Sequence, residues 1–598
     1  MPPAHRSRAS LPFRFLLLAG AGRLLLGCAG GATPASPPVA SAPVASSAVA
    51  PVAPAPAAAP RVHVQLLAIN DFHGNLEPPA GTNGVVVASS DDPIASLPGA
   101  RTIADAGIAL VPTGGAAFLA THIARLRAEN PNTVVLSAGD LTGASPLLSN
   151  VFEDEPTILV MNRIGLQIEG VGNHDFDRGA AELLRLQRGQ SPVDDGGVGD
   201  AGDAGFPGAS FTYLAANVMV EATQKTVFPP YVIRELGGVK IAFVGETLKE
   251  TPSMTVPDAV RGLTFENEAS TVNALVPVLK GKEGASAIVL ILHQGGVQAS
   301  AGTYDSCVGF SGDITPILDA LDPAIDVVVS AHTHQAYDCT IGGRLVTSAG
   351  SYGKLVTKID LTLDPAAGRV VEKHARNVPV TRDVAPDPEV EGVIREYKAK
   401  GATVTARVVG YVKSDLTANA NAAGSPSCET PLGDYIADAQ AAATGADVAL
   451  MNPGGIRADF VARRDGRPDF AVTYAEVFDV QPFGNTLVTL KLTGAEIRAL
   501  LEAQFGGRAE PRILQVSKEL SYEYAYDRGT RRGTILALRV HGKAIDPAKV
   551  YRVTVNSFLA GGGDGFAVFR SARERAQGGP DLEALTEYLG KTSSPRAP

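Results

Sequence analysis

Apolar runs rich in β-branched residues recur through the first two thirds of the chain, at Val62 to Ile69, Val134 to Ser137, Val239 to Gly245, Ile288 to Leu292 and Ile325 to Ser330. Runs of this length and composition read as strands. Elsewhere the period changes to that of a helix. Val390, Val393, Ile394 and Tyr397 fall on one helical face within Pro386 to Lys400, with Asp387 placed to cap the first turn. Pro431 to Thr444 and Thr493 to Phe505 read as helices and Val448 to Met451 as a strand. Two stretches, Pro78 to Gly107 and the Gly- and Asp-rich Ser191 to Gly208, read as surface loops; the second lacks the spacing of a calcium-binding loop. Strands alternating with helices predict an α/β chain whose ligands gather beyond the carboxyl ends of the strands.

Metal-ligand residues stand at those ends. The segments NDFHG (Asn70 to Gly74), AGD (Ala138 to Asp140), GNHDFD (Gly172 to Asp177) and AHTH (Ala331 to His334) each follow an apolar run, and His293 follows another. Asp71 and His73 are two apart, as are His332 and His334; in an extended chain that spacing turns both side chains to one face, so each pair can grip one ion. Carboxylate, imidazole and amide oxygen suit Zn, Mn, Fe or Co, and Asp140 is the candidate bridge between two ions. A lone Asp after a strand is ordinarily a helix cap and a lone His a packed residue. Here five of the ten histidines fall in these segments, which favours the two-metal reading.

The segments resemble those of the 5'-nucleotidase family, with its calcineurin-like metallophosphatase domain, its separate nucleotide-binding domain, and its UDP-sugar hydrolase and 2',3'-cyclic-nucleotide phosphodiesterase relatives. The likeness runs from about Arg61 onward. It implies an α/β fold in which a four-layer metallophosphatase β-sandwich flanked by helices is joined by a helix to a second α/β nucleotide-binding domain. By the same resemblance Asp71, His73, Asp140 and His334 hold one divalent ion, and Asp140, Asn173, His293 and His332 the other. His174 acts on the transition state or the leaving oxygen and Asp177 orients it. The family usually carries Gly where this chain has Ala331; if that backbone requires positive φ, Ala is strained there.

Three later segments carry a second signature: Asn452 to Arg457 (NPGGIR), Gln481 to Asn485 (QPFGN) and Asn556 to Asp564 (NSFLAGGGD). Glycines such as Gly455 let backbone approach a ligand, and Arg457 can fork onto phosphate oxygens. Singly, Phe483 and Phe558 read as core. The family likeness makes them a base sandwich beside Asn485, with Asn452, Gly455 and Arg457 on the nucleotide and Asp564 on the ribose hydroxyls. An arginine that the family often carries ahead of Leu432-Gly433 is missing, since Ser425 to Pro431 reads SPSCETP. Phosphate affinity or substrate preference is therefore expected to differ.

Composition narrows the reading. A net charge of -10 over 598 residues disfavours a surface that wraps a nucleic-acid polymer, while a small nucleotide needs only a positive pocket. Met1 to Cys28 has basic residues ahead of an apolar stretch, Leu16 to Leu26, too short and interrupted to span a bilayer, and reads as an export signal. Leu25-Leu26-Gly27-Cys28 resembles a bacterial lipoprotein box, making Cys28 the candidate lipid anchor. The expected organisation is a signal peptide over 1–28, an Ala/Pro-rich linker over 29–60, a two-metal domain over 61–381, an interdomain helix over 382–404 and a substrate-binding domain over 405–592. Outside the cytoplasm Cys307 and Cys339 are expected to pair, leaving Cys428 over. The expected function is removal of the 5'-phosphate of nucleotides by an exported dinuclear enzyme. UDP-sugar, 2',3'-cyclic-nucleotide or NAD hydrolysis on the same site is one alternative, and a catalytically silent nucleotide-binding surface protein or an enzyme of sulfur oxidation are others.

Overall fold

The computed structural model describes residues 60–189, 205–255, 259–298, 303–418, 429–462, 471–506, 511–527 and 529–592. The proposed signal peptide with Cys28, the linker up to residue 59, most of Ser191 to Gly208, and Ser425 to Cys428 lie outside them.

Two six-stranded sheets pack face to face. One runs Arg369–Pro379, Leu355–Asp364, Val62–Ile69, Thr133–Ser137, Ile168–Gly170, Thr212–Leu214; the other runs Tyr231–Leu236, Val239–Thr247, Ala287–His293, Val327–Ser330, Arg344–Ala349, Ala336–Ile341. Val64, Leu66 and Ala68 enter the core between the sheets, while Leu67 and Ile69 enter the core beneath the helices Ala116–Arg127 and Glu155–Ile164. On the second sheet Val289 and Ile291 face the first sheet, and Ile288, Leu290 and Leu292 face the helices Glu268–Pro277 and Thr315–Ala320. Burial of alternate residues in two different cores is the reason Leu66 to Ile69 and Ala287 to Leu292 are apolar at every position. The result is helix, sheet, sheet, helix: the four layers expected. The central pairs Val62–Ile69 with Thr133–Ser137, and Ala287–His293 with Val327–Ser330, are parallel, so their carboxyl ends emerge together at one edge.

Pro78 to Gly107 is not only a surface loop. Val85–Ser89 and Arg101–Ile103 flank Ile108–Pro112 in a small antiparallel sheet, with Val86, Ala88, Ala109 and Val111 packed on Ala349 and Leu355. The alternation of Val85 to Ser89, two inward-facing residues among three turned outward, supplies its apolar face.

The connecting helix spans Pro388–Thr405, and the Asp387 carboxylate accepts from Glu389 N and Val390 N at 3.0 Å each. Val390, Val393 and Tyr397 pack into the first domain's core, which fixes the helix against it. Beyond it lies a five-stranded sheet in the order Gln515–Val516, Val448–Met451, Val550–Asn556, Thr486–Thr493, Arg573–Pro580. The helices Pro431–Thr444 and Asp581–Lys591 share one apolar cluster, and Gly494–Ala503 shares another with the hairpin Leu520–Asp527/Arg532–Val540. Thr493 and Glu496 form a capping box that starts Gly494–Ala503 one residue after the predicted helix start. Among the described residues no helix is long and apolar enough to cross a membrane.

Candidate metal centre and interdomain cleft

The loops that leave the parallel strands bring six predicted ligands into two groups. Asp71, His73 and His334 form one; Asp140, His293 and His332 form the other; within each group the ligand atoms lie within 4.8 Å of one another. Asp140 Oδ2 is 3.1 Å from His293 Nε2 and 3.6 Å from His73 Nε2, so a single carboxylate oxygen faces both groups. His73 Nδ1 is 2.8 Å from Gly143 O, and His293 Nδ1 is 2.8 Å from Ala138 O. A backbone carbonyl can only accept, so each Nδ1 carries the proton and each Nε2 turns a lone pair inward.

This donor set fits two divalent ions. Among the described residues Asp140 Oδ2, Asn173 Oδ1 and His293 Nε2 are buried with no hydrogen-bond partner, a loss of about 1–3 kcal/mol for each atom unless a cation meets it. Asp71, His73, His334, Asp140, Asn173, His293 and His332 are the residues that would hold the ions.

The backbone explains how the side chains converge, and it is not by the extended geometry the two-residue spacing suggested. Asp71, His73, Asp140, His332 and His334 have φ of 47°, 47°, 52°, 71° and 55°. Each such non-glycine residue costs on the order of 1–3 kcal/mol, and five of them at one centre are held by the packing around them. The expectation of strain at Ala331 is not met: the positive φ falls on His332, one residue later, and Ala331 is simply buried.

Asp175, unassigned by the sequence reading, ties two of these loops together. Its carboxylate accepts from Asp140 N (3.0 Å), Gly172 N (2.8 Å), Thr142 N (3.0 Å) and Thr142 Oγ1 (2.8 Å). Asn70 does similar work at the other group, donating from Nδ2 to Asp71 Oδ2 and Gly350 O and accepting from Ala349 N. The only signal for either was its place inside a ligand-bearing segment.

His174 lies beside the ligands but turns elsewhere. Its backbone N donates to Asp140 Oδ1 at 2.8 Å, and its Nδ1 is 2.9 Å from Asp177 Oδ2. Burial by itself would lower its pKa, but the Asp177 and Asp140 carboxylates together outweigh burial and hold the imidazole above its ordinary range.

Above this centre opens a cleft of about 490 Å³ between the domains, lined among others by His174, Asp177, Arg457, Phe483, Phe558 and Asp564. Arg457 Nη2 donates to His73 Nε2 at 3.2 Å, and its guanidinium carbon sits 5.7 Å over the Phe483 ring. Phe483 also faces the His174 ring at 5.6 Å between centroids. Asn452, next to buried Gly455, donates to Asp564 Oδ2 at 3.1 Å and accepts from Asn556 Nδ2 at 2.9 Å. Asn485 turns its Oδ1 to Ser557 Oγ and Phe558 N, joining the two phenylalanine segments. Asp564 is paired with Arg512, a cleft residue that the sequence reading did not select. Away from the cleft, Cys307 and Cys339 are joined in a disulfide with a Cα separation of 5.3 Å.

Comparison with known proteins gives two family matches: residues 64–336 match the calcineurin-like phosphoesterases and residues 408–571 the 5'-nucleotidase C-terminal domain. The chain is 30% identical over 565 residues to the cell wall protein Lmo0130 of Listeria monocytogenes, covering 89% of this chain and 68% of that one. It is 30% identical over 548 residues to the endonuclease YhcR of Bacillus subtilis, where it spans 90% of its own length but only 41% of the relative's. Among solved structures, a 5'-nucleotidase precursor from Thermus thermophilus superposes with a TM-score of 0.69 at 25% identity, over 90% of this chain and 98% of that one.

Proposed function

Because the chain belongs to the calcineurin-like phosphoesterases that carry a 5'-nucleotidase C-terminal domain, a class of metal-dependent phosphoric ester hydrolases, we propose that it removes the 5'-phosphate of nucleotides. The supporting observation is that one cleft is lined both by His174, Asp177 and His332 and by Phe483, Phe558 and Asp564. Two divalent ions at such a centre supply a nucleophilic oxygen at neutral pH and offset the charge of the phosphoryl group. The chain's own groups do the rest. Asp177 holds His174 Nδ1, leaving Nε2 to deliver a proton to the departing ribose oxygen. Arg457 forks onto phosphoryl oxygens, Phe483 and Phe558 receive the base, and Asp564 accepts from the ribose hydroxyls.

Export is part of the proposal: the basic and apolar opening, Cys28 and the Ala/Pro-rich tether suit a lipid-anchored enzyme outside the cytoplasm, and one relative is named a cell wall protein. The substrate is tested by assaying AMP, UDP-glucose, 2',3'-cyclic AMP and NAD with Mn, Zn, Co and Mg. AMP should give the highest kcat/KM, and preference for any of the others would move the scissile bond.

A further inference from the structure

Arg512 stands just beyond the helix Gly494–Ala503, its backbone N donating to Gln504 O at 2.9 Å. Its side chain, about a quarter exposed, lines the cleft, and Nη1 lies on Asp564 Oδ1. Asp564 is itself fixed, because its other oxygen accepts from Asn452 Nδ2 and Asn452 is held in turn by Asn556. Arg512 and His332 line the same cleft. Two guanidinium groups thus share the cleft with metal-ligand residues: Arg457, bonded to His73 of one group, and Arg512, in the same lining as His332 of the other. A guanidinium has five N–H donors, and among the described residues the one side-chain bond of Arg512, to Asp564, leaves the rest of the fork to be used.

Resting on the phosphohydrolase reading above, we propose that Arg512 is a second phosphoryl-binding residue and that Asp564 is its positioning partner, so that one ion pair joins the sugar end of the cleft to its phosphate end. The chemistry it fits is a tetrahedral phosphoryl oxyanion. The pairing gives Asp564 two tasks, accepting from the sugar and aiming the guanidinium, and a substrate without a sugar still meets Arg512.

Inorganic phosphate is the decisive probe, since it has neither base nor ribose. In the metal-loaded enzyme, Arg512→Gln should weaken inhibition of p-nitrophenyl phosphate turnover by inorganic phosphate roughly 10- to 100-fold, with metal content and melting temperature unchanged. Arg512→Lys should recover part of the loss, keeping the charge without the fork. Asp564→Asn should weaken phosphate less than Arg512→Gln does, and the double variant should be no worse than Arg512→Gln alone. Unaltered phosphate inhibition in Arg512→Gln, with a loss confined to AMP, would show that the arginine only neutralises Asp564 and would overturn the proposal. A wild-type enzyme that prefers some substrate other than AMP would instead count against the nucleotidase reading and leave this test standing.

Discussion

Asp140 is the residue on which both ligand groups converge, and removing its charge should do more than remove one ligand. Asp140→Asn is expected to lose at least one ion and nearly all turnover, because two cations would then face each other without the shared carboxylate; metal analysis beside the activity assay checks it. His174→Ala should separate chemistry from binding: both ions retained, KM near normal, and kcat lower by roughly 100- to 10,000-fold. Asp175→Asn is predicted to fall between them. It keeps a side chain of the same shape, but an amide cannot accept all four N–H and O–H donors that the carboxylate now gathers, so the Asp140 loop should loosen and metal affinity drop about 10- to 100-fold. Equal metal affinity in Asp175→Asn and wild type would make that carboxylate dispensable. These residues also show what a sequence exposes at this scale. Ligand types and their order were legible because few other residues bind metal; Asp175 was not, because a carboxylate that accepts backbone N–H groups has no partner in the sequence to mark it. The left-handed backbone at five ligands was hidden as well, since none of them is glycine.

At the scale of elements, the buried strands were readable because both their faces are covered, so composition alone betrays them. The small sheet over Val85–Ser89, Arg101–Ile103 and Ile108–Pro112 was not, because its strands are short and the Asp, Pro and Ser between them dominate the local signal. The helix ends were closer to the mark wherever a cap marks them, as at Asp387 and Thr493. The disulfide belongs to this scale too. It encloses the strand Val327–Ser330 and the His332 and His334 loop in a closed segment with a separation of 32 residues. Constraint of the unfolded chain by a loop of that length is worth about 3 to 4 kcal/mol, so the Cys307→Ser/Cys339→Ser pair should melt at a lower temperature. Because His332 and His334 are anchored separately by the Val327–Ser330 strand, metal content at low temperature should survive; its loss would mean the bridge orders the ligand loop directly.

Across the whole molecule the cleft exists because the second domain leans on the first at several points. Asp479 accepts from Leu147 N at 2.8 Å, Asn83 Nδ2 donates to Arg457 O at 2.7 Å, and Arg457 reaches His73. None of these contacts is visible in either domain's sequence alone, whereas the order of the three cleft segments was. The structure also separates two phenylalanines that the sequence treated alike. Phe483 abuts His174 and Arg457, so truncating it should disturb proton delivery and phosphate contact as well as any stacked base. Phe558 has no ring contact of that kind among the described residues; it packs on Gly563 and the edge of the second domain's core. If a base stacks on it, Phe558→Ala removes roughly 1 to 3 kcal/mol, which is about 5- to 150-fold in kcat/KM for AMP. Turnover of p-nitrophenyl phosphate, which carries no base, should stay near wild type in Phe558→Ala and fall in Phe483→Ala. Parallel losses on both substrates in Phe558→Ala would make that ring a support of the domain core, and nucleotide recognition would then have to rest on Asn452, Arg457 and Asp564.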